Sequence, residues 1–125
     1  MRIHHVGYVV KDIAVFAASF PGILLEREVY DPLQKARLAL YAVGDGSRLE
    51  FIAPEGPESF TWGFLERSGP GLHHLCYEGL SAQEVEHTIG RHRLLKLRGP
   101  MHAILFDREV IFAMTRQKSI VEFLL

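Results

Sequence analysis

Two βαβββ modules, an α+β class of fold, are predicted by three observations. A His-His string occurs twice, a Glu-Phe string occurs twice at nearly the same offset, and the same order of strand and helix signals follows each His-His. Arg2-Ile3-His4-His5-Val6-Gly7-Tyr8 aligns with Gly71-Leu72-His73-His74-Leu75-Cys76-Tyr77. Arg48-Leu49-Glu50-Phe51-Ile52 aligns with Ile120-Val121-Glu122-Phe123-Leu124. His5 and His74 are 69 positions apart, Glu50 and Glu122 72. A shared offset with a small insertion is what duplication followed by loop drift leaves behind.

The elements follow in order. Ile3 to Val10 is apolar and β-branched, a strand signal. Asp12 can cap a helix with Phe16 to Phe20 as its body, which Pro21-Gly22 ends. Leu24 to Tyr30, Ala36 to Val43 and Arg48 to Ala53 read as strands, the last two joined by a Gly44-Asp45-Gly46 turn. Pro54 closes a first module over about residues 1–54. A connector over 55–71 carries a short helix through Arg67, with Ser59 as its cap. The second module, 72–125, opens with a strand from Leu72 to Glu78. Ser81 with Glu84 forms a capping box for a helix to about His92. Leu94 to Arg98, Glu109 to Thr115 and Ser119 to Leu124 complete it as strands. The 125 residues are expected to form one domain.

Composition excludes several classes. The chain is 48% hydrophobic and 23% charged with a net charge of −1, and its 14 Lys and Arg are scattered. Neither nucleic acid nor an anionic membrane is indicated. No apolar run reaches the roughly 20 residues of a membrane span, and no leader-like segment stands at the N-terminus, so a cytoplasmic location is expected. The single cysteine, Cys76, fits a reducing compartment. Seven histidines are the unusual count, and four of them form the two His-His pairs.

Strand side chains alternate faces, so parity sets His5 with Gly7 and Val9, and His4 with Val6 and Tyr8. The same rule separates His73 from His74, leaving one histidine of each pair for a given cleft. Glu50 and Glu122 each sit mid-strand between apolar residues, where a carboxylate needs a partner. A two-fold arrangement of the modules brings two imidazoles and two carboxylates together. That donor set suits Zn, Ni, Co, Mn or Fe with coordination positions left open. His87, His92 and His102 read as exposed helix or loop residues, and Cys76 as a small buried one. Phe60, Trp62 and Phe64 are expected to cover the core or line a cleft.

These strings resemble the vicinal-oxygen-chelate superfamily, which includes glyoxalase I, methylmalonyl-CoA epimerase, extradiol dioxygenases and bleomycin-resistance proteins. The resemblance covers almost the whole chain and implies a curved, eight-stranded mixed sheet shaped like a cup, with a divalent metal inside. The family's metal positions fall on His5, Glu50, His74 and Glu122. The connector, from Ser59 through Phe64-Leu65 to Gly69-Pro70-Gly71-Leu72-His73-His74, is most similar to methylmalonyl-CoA epimerase. The segments Pro100 to Asp107 and Met114 to Lys118 depart from that enzyme, and Ala36-Arg37-Leu38-Ala39 lacks the acid some epimerases carry. The implied chemistry is proton abstraction next to a carbonyl, with Glu122 and Glu50 as the catalytic carboxylates and Glu122 the favoured base. The implied partners are a small-molecule substrate such as an acyl thioester, and a second copy of the chain in a homodimer. Arg37, Arg48, Lys96, Arg98, Arg116 and Lys118 are the cations available to meet substrate. Alternatives are a lactoylglutathione lyase (glyoxalase I) type of enzyme and a ligand-binding protein of the bleomycin-resistance type.

Overall fold

Eight strands form one sheet in the order β2-β3-β4-β1-β5-β8-β7-β6, in a computed structural model that describes residues 1–125. The chain order is β1 (Arg2–Val9), α1 (Ile13–Ala17), β2 (Leu24–Asp31), β3 (Ala36–Ala42), β4 (Arg48–Pro54), α2 (Trp62–Ser68), β5 (Gly71–Glu78), α3 (Ala82–His92), β6 (Leu95–Ala103), β7 (Arg108–Met114) and β8 (Ile120–Leu124). The strand order is a palindrome of the two halves. β1 pairs in parallel with β4 and β5 in parallel with β8, and the remaining pairs are antiparallel. The halves join along one antiparallel seam, β1 against β5. The sheet is therefore the mixed eight-stranded one expected.

Each face of the sheet is covered differently. On the outer side of the first half, Phe51, Ala39 and Val10 pack with Tyr8, Phe16 and Phe20 around α1. On the outer side of the second half, Val85 and Ile89 of α3 pack on Ile111, Ala113, Val121 and Phe123. The inner face holds Val9, Leu38, Leu40 and Ile52 under Leu65 of α2 and Leu105 of the β6–β7 turn. Val110, Phe112, Leu124 and Cys76 continue that face in the second half.

Local chemistry sets the helix ends. The Asp12 side chain accepts from the Val15 backbone N–H, and α1 stops at Ala17, short of Phe20, because Ala18 already serves as the cap. Ser81 and Glu84 form the reciprocal capping box at α3. Ser59 does not cap α2. The helix starts at Trp62 after Thr61, and the Ser59 carbonyl instead accepts the Trp62 N–H in the turn before it. β6 runs on through Pro100 to Ala103, past the expected end at Arg98. It can do so because β6 is an edge strand, where a residue without an N–H breaks no ladder bond on its open side. No helix is long and apolar enough to cross a membrane.

Candidate metal centre

Two register rows across the seam place four polar side chains on the inner face. In one, Gly7 of β1 lies between Glu50 on β4 and His74 on β5. In the other, Cys76 of β5 lies between Glu122 on β8 and His5 on β1. The rows are related by the pseudo-two-fold that exchanges the halves. One ligand-type atom from each of His5, Glu50, His74 and Glu122 lies within 4.8 Å of the other three. All four residues are buried, none more than 3% exposed.

The distances show which atoms face the centre. His5 Nε2 and His74 Nε2 are 3.1 Å apart. Each is 3.1 Å from Glu122 Oε2, and His5 Nε2 is 3.4 Å from Glu50 Oε2. Oε2 of Glu122 is buried, and no donor reaches it in hydrogen-bond geometry. A buried carboxylate oxygen left unpaired costs several kcal/mol in an apolar setting, on the order of 1–3 or more. Two imidazole nitrogens and two carboxylate oxygens converging on one point are a donor set that fits a cation. Gly7 is part of the fit. A Cβ there would lie 2.0 Å from His74 Cε1, so only glycine leaves room for this ring.

The two carboxylates are not equivalent. Burial and the neighbouring Glu122 charge push the Glu50 carboxyl up to about 8. Burial also acts to raise Glu122, but His5 and His74 beside it more than offset this and hold it below the usual carboxylate range. Burial, with the nearby carboxylates adding to it, raises the Cys76 thiol, which stays protonated and inert.

Parity misplaces His4 and His73. Ile3 pairs with Tyr77 and His5 with Cys76, so His4 is an extra residue in β1, a β-bulge. Gly7 pairs with His74 and Tyr8 with Leu72, so His73 is the matching extra residue in β5. A bulge lets two successive side chains lie on one side of the sheet. His4 Nδ1 accordingly comes within 2.9 Å of His5 Nδ1, and His73 Nδ1 within 2.9 Å of His74 Nδ1. Burial, then the adjacent histidine, lowers His4 to about 4 and His73 to about 3. Both are neutral at pH 7. Phe106 stacks on His5 with centroids 5.2 Å apart, and Phe64 meets the His73 ring edge-on at 4.9 Å.

One cavity, about 650 Å³, touches the centre at His74. Its walls are apolar, among them Phe64, Leu72, Met114 and Ile120, and its charged residues are Arg67 and Lys118. Lys118 is among the cations singled out in the sequence, whereas Arg67, in the connector helix, is not. Neither forms an ion pair, while Arg37, Arg48 and Lys96 pair with Glu28, Glu26 and Glu86. Arg98 lies 4.7 Å over the Phe60 ring. His87, His92 and His102 are exposed, as expected.

A family model described as the Glyoxalase/Bleomycin resistance protein/Dioxygenase superfamily matches residues 4–96. The chain belongs to that superfamily. The match takes in His5, Glu50 and His74 and stops before β8, which carries Glu122. Solved structures agree in fold with this superfamily member. Methylmalonyl-CoA epimerase from Mycobacterium tuberculosis superposes with a TM-score of 0.84 at 21% identity, covering 98% of this chain and 85% of that one. A hypothetical protein from Bacillus halodurans C-125 gives 0.86 at 21%, covering 98% and 92%. A Streptomyces coelicolor methylmalonyl-CoA epimerase variant in complex with 2-nitronate-propionyl-CoA gives 0.83 at 19%, covering 99% and 96%. No curated protein matches the chain in sequence.

Proposed function

We propose that this protein is a divalent-metal-dependent isomerase that removes and returns a proton next to the carbonyl of an acyl thioester. The observation that carries the reading is the buried convergence of His5, Glu50, His74 and Glu122 around an unpartnered carboxylate oxygen. These four residues would hold the cation. When bound, it supplies a Lewis acid that acidifies the proton next to a carbonyl and steadies the developing oxyanion.

The remaining work falls to the chain. Glu122 is the base that takes the α-proton, and Glu50, its counterpart across the pseudo-two-fold, returns one from the other side. Water is kept out by the apolar inner face and by Phe60, Phe64 and Phe106 over the histidines. The cavity at His74 is the way in for substrate. Its apolar walls suit an acyl chain, and unpaired Arg67 and Lys118 suit an anionic group on the same molecule. The likeness in fold to epimerases, one of them in complex with methylmalonyl-CoA, supports this substrate class. A cytoplasmic homodimer is part of the same proposal.

The test is deuterium incorporation at the α-carbon across acyl-CoA, acyl-carrier and glutathione thioesters in D₂O, with metal content measured on the same sample. Exchange confined to CoA or carrier thioesters, dependent on about one metal per chain, is the expected result. Exchange confined to glutathione thioesters would move the assignment to a glyoxalase-type lyase. Metal-free protein with no exchange on any substrate would refute the enzyme reading.

A further inference from the structure

We propose that His4 and His73 are positioning residues, each accepting at its Nδ1 the Nδ1–H of the next histidine and so fixing the Nε2 lone pairs of His5 and His74 toward the centre. The inference rests on the metal-centre reading above and extends it to two residues outside the ligand set.

Four observations carry it. The Nδ1–Nδ1 distance is 2.9 Å in both pairs. Successive residues of a regular strand point apart, so this contact exists only because each strand bulges at its first histidine. The two bulges are at equivalent positions in the halves, so the device occurs twice. Both acceptor rings are also held from behind. Phe106 meets His4 edge-on at 5.2 Å, and Phe64 meets His73 edge-on at 4.9 Å.

The tautomers follow from the donor count. A neutral imidazole carries one proton. If Nε2 of His5 and His74 are to present lone pairs, their protons must sit on Nδ1. Nδ1 of His4 and His73 must then accept, and their own protons sit on Nε2. Without an acceptor, each ligand ring is free to carry its proton on Nε2, the atom that has to bind. A hydrogen-bond acceptor behind a ligating histidine typically changes metal affinity by about 10- to 100-fold.

The choice of imidazole rather than carboxylate as acceptor also has a reason. Glu50 and Glu122 already supply two negative charges to balance a divalent cation. Acidic acceptors behind the histidines would leave a buried excess of negative charge, which is costly. A neutral ring accepts the same hydrogen bond and adds none.

The experiment uses the full chain, stripped of metal and titrated with Zn²⁺ and Co²⁺ against a chromophoric chelator. His4→Leu and His73→Leu remove the acceptor. His4→Asn and His73→Asn return an acceptor oxygen close to where Nδ1 stood. Each Leu variant is expected to bind about 10- to 100-fold more weakly, and each Asn variant to recover most of that loss. ¹⁵N NMR of the zinc-loaded wild-type chain is the second measurement, independent of whether any variant folds. It should find the proton on Nδ1 in His5 and His74 and on Nε2 in His4 and His73. Leu variants that fold and bind like wild type, Asn variants no better than Leu, or a proton on Nδ1 of His4 or His73 would overturn the positioning role alone. Wild-type chain that takes up neither metal would overturn the metal centre and this role with it.

Discussion

Glu50 and Glu122 occupy equivalent places in the two halves, each one strand away from the seam and each on the inner face. Their surroundings differ. Glu122 Oε2 lies 3.1 Å from both central imidazoles, whereas Glu50 Oε2 is 3.4 Å from His5. Glu122 is held ionised, and Glu50 is pushed up to about 8. The residues beside them differ too. Gly7 separates Glu50 from His74 in the register, and Cys76 separates Glu122 from His5. The duplicated pattern therefore supplies the four ligand-type groups, and the two carboxylates sit in different electrostatic environments. Two titratable groups whose environments drive them apart are a common basis for assigning acid and base.

The largest effects should come from removing one carboxylate at a time. At matched metal occupancy, Glu122→Gln is expected to lower inversion, and exchange from the epimer whose α-proton faces Glu122, by about 10²–10⁴-fold. Glu50→Gln should keep exchange from one epimer while losing inversion. Isotope washout followed on separated epimers tells these apart. Loss of exchange from the same epimer in both variants would break the comparison.

A smaller effect is expected at the residues between the ligands. Gly7→Ala places a Cβ 2.0 Å from the His74 ring. It should cost about 1–3 kcal/mol by overpacking and weaken metal binding as His74 is displaced. At the equivalent position, Cys76→Ala keeps a Cβ already accommodated and should cost about 1 kcal/mol with metal binding retained. Urea unfolding and metal titration of both variants check this.

The smallest effect is the pH dependence of the metal-free chain. His4 and His73 have lowered values when folded, so their contribution is present above 6.5 and is lost as pH falls toward 4. Glu50 has a raised value, so its contribution is present below 4.5 and is lost as pH rises toward 8. Between 4.5 and 6.5 the two histidines outweigh the one carboxyl, which puts the maximum near pH 6.5. Urea midpoints across this range should show Glu50→Gln losing the decline on the alkaline side. Glu122→Gln should keep a weaker version of it, since the neighbouring charge is gone.

Much of the fold is legible in the sequence. The repeated His-His and Glu-Phe strings located all four inner residues, because ligand types at matching offsets survive drift in the loops. Asp12 and the Ser81/Glu84 box located two helix starts from chemistry confined to four residues. What escaped was chemistry that depends on partners far away in the chain. The bulges at His4 and His73 are properties of the β1–β5 pairing, some 70 residues apart in sequence, and no local pattern announces them. Arg67 carries no signal of its own in the sequence, and only the fold sets it on the wall of the cavity that reaches His74. Pro100 looks like the end of a strand until β6 is known to be an edge.

The β1–β5 seam has a mechanical consequence. Each half contributes one imidazole and one carboxylate, so neither half alone can close the site. A bound cation would act as a rivet through the joint, with its binding energy delivered to the docking of the halves rather than to either half. Without it, three buried polar atoms crowd within 3.1 Å at the seam. Amide hydrogen exchange along β1 and β5 is then the most sensitive gauge of metal occupancy, ahead of exchange in α1 or α3 on the outer face.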